Sequence, residues 1–430
     1  MIIMNPPFGS NVARSRKFPP DTVRHMQRNE LAIRAELARM DKAAGNVIDS
    51  NSISTFFTPL ADRLLDPERG TLAKVLPVTA CVSASGLAER KFLASRFHVE
   101  RIVTSHDPKH VNFSYKTSIH ECLMVCRRHD GGDVKPPTEF VSLRRMPKNP
   151  KEAIEAADAI ANGNAKDWGD RCVWPAARVE EGDWSPAQWY DAEMASAVYD
   201  LERSPLLEPL CAHHRVGPAG QAIRGSCEKC NHDDNGATLI FDSINTNLRR
   251  TIRGCPEAYC RPRHGKAKTG KKYLNMGSRL LVAARFRTTS SRLAAVCSDR
   301  PAVGSGWVPV SVGGKREAGA LAVWWNSTPA MMMLLNRRSK TLDYPAWSIK
   351  HQSEIRIPKP DSTDWDALYE TYVKVRDMEV RPLYEATSDP VRAMLDAAAA
   401  NVLSVEPGVL AGWRRRLCRE PTVSNKPYPL

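Results

Sequence analysis

Long apolar runs are missing from this 430-residue chain: the longest, such as Ala318–Trp325, fall far short of the ~18–20 residues a membrane helix needs. The opening MIIMNPPFGS has no basic segment leading an apolar stretch, so no secretory leader is expected. There is no internal repeat and no low-complexity tract, which excludes collagen-like repetition. A hydrophobic fraction of 42% and a charged fraction of 26% likewise exclude low-hydrophobicity disorder. The eleven cysteines are an odd number with no leader before them, so reduced thiols in a cytoplasmic compartment are expected rather than a disulfide scaffold. His106, His110 and His120 have no Ser or Cys nucleophile motif beside them, and a hydrolase has no support.

What the chain does have is positive charge, +14 overall, which favours a polyanionic partner or simply solubility. Its length suggests two or three domains of roughly 100–200 residues. Met1–Met4 reads as the end of a buried strand that stops at Asn5-Pro6-Pro7-Phe8, because proline has no N–H for a ladder. A basic, polar stretch from Asn11 to Arg28 leads to a helical pattern over Glu30–Ala44, and a second helix is expected over Asn51–Leu65. Strands over Thr71–Val78, His98–Thr104 and Ser118–Cys126 surround a helix over Gly86–Phe97, an α/β alternation with a central sheet. His129–Pro137, rich in Gly and Pro, marks a plausible domain boundary; beyond it lie one clear helix, Lys151–Ala161, and several Trp residues in polar surroundings. Apolar runs return at Leu280–Phe286, Trp307–Val312 and Ala318–Trp325, and Thr363–Val380 and Asp389–Leu403 are expected as amphipathic helices.

The charge is concentrated. Thirteen Lys and Arg lie between Arg249 and Arg292 (Arg249, Arg250, Arg253, Arg261, Arg263, Lys266, Lys268, Lys271, Lys272, Arg279, Arg285, Arg287, Arg292) against one acid, Glu257. Such a segment would neutralise several phosphates in a salt-sensitive, sequence-independent way; the alternative is a solvated charged loop. Tyr259, Tyr273 and Phe286 are interleaved with it and would add stacking.

Asn5-Pro6-Pro7-Phe8 carries the chemistry. Methyl transfer to an exocyclic amine requires the nitrogen lone pair to be freed from conjugation, which two hydrogen-bond acceptors on one amino group achieve. The carboxamide oxygen of Asn5 and the carbonyl of Pro6 are two such acceptors, and Pro6 and Pro7 fix their spacing. Phe8 can stack on a base extruded from a duplex. The alternative is a Pro-Pro turn closing a strand, with Phe8 filling core.

On these residues the chain resembles the adenine-specific DNA methyltransferases of the large type I and type IIG restriction-modification kind. Gly70–Pro77 (GTLAKVLP) resembles the family strand after the tetrapeptide, and Asn112–Ser118 (NFSYKTS) its base-facing loop. By that resemblance Phe113 would face the flipped adenine, with Tyr115 as an alternative and Thr117 completing the match. Leu280–Arg292, Val303–Trp307, Ala320–Thr328 and Ser353–Pro360 resemble the target-recognition region that follows the catalytic domain.

The resemblance implies an α/β fold: the C-terminal half of a Rossmann-like methyltransferase sheet, followed by a mixed α+β target-recognition domain and a helical tail. Residues 1–130 would be a partial catalytic domain, 131–375 the DNA-recognition region and 376–430 the tail. The family binds S-adenosylmethionine through a Gly-rich loop and an acid that precede the NPPF strand, and only four residues precede Asn5 here. Gly304-Ser305-Gly306 leads into Trp307-Val308-Pro309, a strand pattern, and does not replace that loop. A fragment or split enzyme is therefore expected, completed by an N-terminal methyltransferase half or other restriction-modification subunits, with double-stranded DNA as substrate and no membrane association. The alternatives are a non-catalytic DNA-binding remnant or specificity module and, more weakly, methylation of RNA or protein amides. Cys227-x2-Cys230 with Cys255-x4-Cys260 has the spacing of a structural zinc site, His232 or His264 replacing one thiolate, the alternative being unliganded thiols. Cys81, Cys122, Cys126 and Cys297 are expected as core fillers.

Overall fold

The computed structural model describes residues 1–7, 18–48, 52–114, 119–129, 134–218, 220–232, 236–338, 347–362 and 364–429. Phe8, Tyr115 and Thr117 lie outside these. The protein is mixed α/β, with two large mixed sheets in two compact units, Met1–Ala195 and Ser196–Leu430. Among the described residues no helix is long and apolar enough to cross a membrane.

The first unit contains β1 (Ile2–Met4), α1 (Pro20–Met40), α2 (Lys42–Val47), α3 (Ser54–Leu64), β2 (Thr71–Pro77), α4 (Val78–Val82), α5 (Leu87–Arg96), β3 (Phe97–Ser105), β4 (Glu121–Arg128), β5 (Thr138–Leu143), α6 (Pro150–Ala161) and β6 (Gly169–Trp174). Its sheet runs β1-β2-β4-β3-β5-β6. β1 is parallel to β2 and β3 to β5, while β4 is antiparallel to both β2 and β3. The Gly/Pro-rich stretch at 129–137 thus joins two strands of one sheet.

Two expectations change. β1 is an edge strand and is not buried: Ile3 is 71% exposed, because β1 has β2 on one side only among the described residues. α1 begins at Pro20 rather than near Glu30, since proline fits the first helical position, where its missing N–H costs nothing. Asp41 separates α1 from α2 by accepting a hydrogen bond from the Ala43 N–H.

β2 alternates half-buried and buried residues, and its buried set contains a charge: Lys74 is fully enclosed. Its Nζ donates to Glu89 Oε1 on α5 (2.6 Å), Thr58 Oγ1 on α3 (2.7 Å) and the Ser54 carbonyl (2.9 Å). Three donors find three acceptors, which offsets the desolvation of the ammonium. A second cluster, Val103, Val141, Leu143, Ala156 and Trp168, joins β3, β5 and α6. Trp174, the last residue of β6, and Trp184 and Trp189 are also buried; the polar sequence around the latter two concealed core positions because they flank a short helical turn rather than a periodic element.

In the second unit β7 (Leu207–Pro209) comes first; after it α7 (Gly220–Ser226), β8 (Cys227–Cys230), β9 (Thr238–Phe241), β10 (Arg253–Gly254), β11 (Ala258–Pro262), α8 (Ala267–Leu274), β12 (Ser278–Ala283), β13 (Ala295–Gly304) and β14 (Trp307–Val310) build a sheet ordered β14-β12-β13-β9-β11-β8, with β10 beside β13. α9 (Lys315–Asn326) and α10 (Thr328–Asn336) follow. Residues 318–326 and 328–336 are buried throughout, as expected of helices apolar on every side. α11 (Trp365–Val375), α12 (Pro390–Leu403) and α13 (Pro407–Arg419) pack around them. Buried Asn326 ties α9 to the sheet, accepting from Ala294 N (2.8 Å) and donating to Ala295 O (2.8 Å). Asp389 caps α12, and Asp396 on α12 accepts from the Thr328 N–H and hydroxyl, both at 2.7 Å.

Lys74→Ala leaves Glu89 buried without its ammonium and should destabilise the protein by about 3–5 kcal/mol, while Lys74→Met combined with Glu89→Leu should recover most of that stability. Urea denaturation followed by circular dichroism checks both.

Candidate functional site

The carboxyl ends of β1, β2 and β3 and the start of β4 meet on one side of the first sheet, as the pairing Pro77↔Glu121 and Thr104↔Cys122 requires. Asn5 leaves β1 on this side. Pro6 is buried and Pro7 exposed, so the first proline anchors the turn while Asn5 stays at the surface. Asn5 Nδ2 donates to Ser114 Oγ at 2.8 Å. The Asn5 oxygen accepts no hydrogen bond from a described residue.

Ser114 belongs to the loop between β3 and β4. The Ser105 hydroxyl donates to the His110 carbonyl, His120 Nε2 lies 2.7 Å from the Ser105 carbonyl, and Asn112 Nδ2 donates to the Ser114 carbonyl at 3.0 Å. Glu121, fully buried, takes the N–H groups of both Phe113 (2.8 Å) and Ser114 (2.7 Å) on one oxygen. Phe113 is half-buried, packed against the cluster around Val103, Val141 and Trp168. Asn5 and the Phe113–Ser114 turn are thus brought together across more than a hundred residues, and Glu121 and Ser114 are contributors that sequence reasoning passed over. The signal was present: Glu121 is an acid inside an otherwise apolar strand.

The first unit has no described strand that runs through a Gly-rich turn into a helix. In the second unit β14 does so, through Gly313-Gly314 into α9, a turn that apolar periodicity does not reveal. There the Gly313 N–H already donates to the Glu317 carboxylate. The described residues therefore do not fit S-adenosylmethionine as a complete pocket.

Eleven of the thirteen cations fall into two sets. Arg249 pairs with Glu257, donates to the Cys255 carbonyl (3.0 Å) and lies 4.7 Å from the Phe241 ring. Arg250 and Arg292 share Glu379, Arg253 bridges Asp299 (2.6 Å) and Asp377 (3.5 Å), and Arg279 donates to the Asp299 carbonyl. These guanidinium groups are committed to acids and carbonyls of the second unit. The Asp299 carboxyl is held below the usual carboxylate range, first by its hydrogen bond from Lys315 and then by Arg253.

The other set is concentrated at the turn from β11 into α8. Arg261 pairs with Glu228 across the strands (3.2 Å), and Arg263 Nε donates to the Cys227 carbonyl. Lys266, Lys268, Lys271 and Lys272 are exposed, and no described carboxylate pairs with them. The segment folds this way because Gly265 takes a positive φ of 73° and because Gly270 lets α8 approach Pro262 and Ser226 closer than any Cβ allows. Arg285 and Arg287 are exposed on a separate loop after β12.

Cys227 and Cys260 enter one apolar cluster with Ile223, Ile240, Leu274 and Val303. Cys230 lies across from Tyr259 on the neighbouring strand, and Cys255 is exposed outside the sheet. Burial, with Cys227 and Cys230 nearby, pushes the Cys260 thiol up to about 12. Among the described residues no three His, Cys, Asp or Glu side chains are placed to hold a metal ion. Cys81, Cys122, Cys126 and Cys297 are buried core.

No family model and no curated protein matches the chain. Among solved structures it is distantly similar to restriction-modification enzymes. The type IIL enzyme MmeI, solved in complex with DNA, gives a TM-score of 0.42 at 10% identity over 100% of this chain and 55% of that one. The type IIG restriction endonuclease BpuSI gives 0.39 at 13% identity over 90% and 52%. A type I restriction-modification system gives 0.25 at 14% identity over 32% and 31%. The chain thus spans about half the length of the first two.

Proposed function

We propose that this chain is the base-gripping and DNA-contacting part of an adenine-specific DNA methyltransferase. The observation that supports this most is the place of Asn5: exposed at the carboxyl side of the sheet, its carboxamide is tied to Ser114 of the loop between β3 and β4. That is the side on which open α/β sheets place their ligands. In this reading the Asn5 oxygen and the Pro6 carbonyl accept both hydrogens of an exocyclic amine and aim its lone pair. Phe8, Phe113 or Tyr115 supplies the aromatic face for the extruded base, with Thr117 in the same loop. S-adenosylmethionine would supply the methyl group once a further polypeptide segment completes the pocket. The outer edge of β1, paired with no described strand, is consistent with such a complement.

Double-stranded DNA is the substrate proposed. Of the cations, Arg263, Lys266, Lys268, Lys271 and Lys272 are assigned to phosphates, with Arg261, Arg285 and Arg287 at its margin. Arg249, Arg250, Arg253 and Arg292 are assigned to holding the fold, since their charges already have partners. A zinc ion at Cys227 and Cys230 would need ligands beyond Cys255 and Cys260 as placed, and no role is given to it.

Labelled-methyl transfer to unmodified duplex DNA tests the reading, with this chain alone compared with the chain joined to an upstream cofactor-binding segment. Transfer is expected only from the joined form, and Asn5→Ala should abolish it while leaving DNA affinity almost intact. DNA binding without transfer in the joined form would favour a non-catalytic recognition module instead.

Replacing Lys266, Lys268, Lys271 and Lys272 by Gln should flatten the dependence of log K on log salt by about 0.9 for each phosphate no longer neutralised. Arg253→Gln should leave that slope unchanged and lower thermal stability instead. Fluorescence anisotropy across a salt series, with a melting curve for each variant, separates the two sets.

A further inference from the structure

Glu121 is the first residue of β4 and is fully buried. An apolar residue would be ordinary there, between a strand-start histidine and Cys122 in a strand of Leu, Met and Val. One of its carboxyl oxygens, Oε1, is buried with no hydrogen-bond partner among the described residues. An enclosed acceptor left unpaired costs folding free energy, so Glu121 is a poor choice for packing alone. Its other oxygen explains its presence: Oε2 accepts the N–H groups of Phe113 and Ser114 at 2.8 and 2.7 Å. The Glu121 N–H adds a third tie, to the Val111 carbonyl at 3.1 Å. The turn carrying Phe113 and Ser114 is thereby fixed to the rigid edge of the sheet.

Ser114, so held, meets Asn5 Nδ2 at 2.8 Å. A hydroxyl both donates and accepts, so Ser114 can hold either end of the carboxamide; what its contact fixes is the place of the side chain. We propose that Glu121 is a positioning residue: by clamping the backbone of Phe113 and Ser114 it sets the Ser114 hydroxyl against the Asn5 carboxamide and so holds that side chain in place for the amine of the substrate base. This rests on the base-gripping role proposed for Asn5. Glu121 touches no substrate; it acts through two backbone amides, a hydroxyl and the carboxamide.

The test uses the full chain labelled with 15N-asparagine, the Asn5 side-chain resonance being identified by its disappearance in Asn5→Asp. Ser114→Ala should shift that resonance and speed its hydrogen exchange about 10-fold or more, and Ser114→Thr, which keeps the hydroxyl, should restore it. Glu121→Leu should reproduce the Ser114→Ala spectrum at Asn5, and Glu121→Gln, which keeps one acceptor oxygen, should retain most of the parent signal. If Glu121→Leu does not fold by circular dichroism, Glu121→Asp, one methylene too short to reach both amides, takes its place. In the completed enzyme Glu121→Leu should lower kcat by about 10–100-fold with KM for DNA unchanged. An Asn5 resonance indifferent to both Glu121→Leu and Glu121→Asp overturns the proposal, as does one that responds to Glu121 but not to Ser114→Ala. The spectra require no methyl transfer: an intact clamp in a completed enzyme that transfers nothing defeats the functional reading alone, and transfer with an indifferent Asn5 resonance defeats the clamp alone.

Discussion

The site at the carboxyl side of the first sheet depends on where the Asn5 carboxamide is held. Its hydrogen bond to Ser114 ties it to the loop between β3 and β4. An acceptor aimed at an amine needs a rigid support, and the support here is the sheet: β1 in register with β2 through Ile2↔Leu72 and Met4↔Lys74, and β2 in register with β4 up to Pro77↔Glu121. The Lys74–Glu89–Thr58 cluster locks helices α3 and α5 onto β2 directly beside that register. Backbone pairing, a buried ion pair and a clamped loop thus converge on one side chain.

Much of this was legible along the chain. The strands at Thr71–Pro77, Phe97–Ser105 and Glu121–Arg128 and the helices at Ser54–Leu64, Leu87–Arg96 and Pro150–Ala161 follow from apolar periodicity, because those elements bury one face. The tetrapeptide at Asn5 was readable because its chemistry is local: two acceptors fixed by two prolines. What escaped depends on contacts between distant residues. Glu121 belongs to no local motif, and Ser114 stood only as one member of the Asn112–Ser118 loop; each matters through a partner 109 or 7–8 residues away that only the fold brings near. The early start of α1 escaped because Pro20 reads as a breaker in sequence but is a favoured first helical residue. The exposure of β1 escaped because apolar composition does not reveal whether a strand has one neighbour or two.

The basic segment teaches a related lesson about charge. Thirteen cations counted along a chain suggest one electrostatic surface, yet the fold pairs several with acids from other segments of the chain, such as Asp299, Asp377 and Glu379. Lys266, Lys268, Lys271 and Lys272 remain turned to solvent on α8 and the turn before it. Charge density in sequence locates a region, and pairing in three dimensions decides which members of it can meet a phosphate. The cysteines behave alike: spacing suggested four ligands, while strand register sends Cys227 and Cys260 into an apolar cluster and leaves Cys255 outside it.

The most direct measurement is an experimental structure of the completed enzyme on a duplex containing its target adenine. The account predicts an extruded adenine whose amino nitrogen lies about 3 Å from both the Asn5 oxygen and the Pro6 carbonyl oxygen. An adenine left stacked in the duplex, or one extruded with its amino group facing any part of the protein other than Asn5, would contradict it.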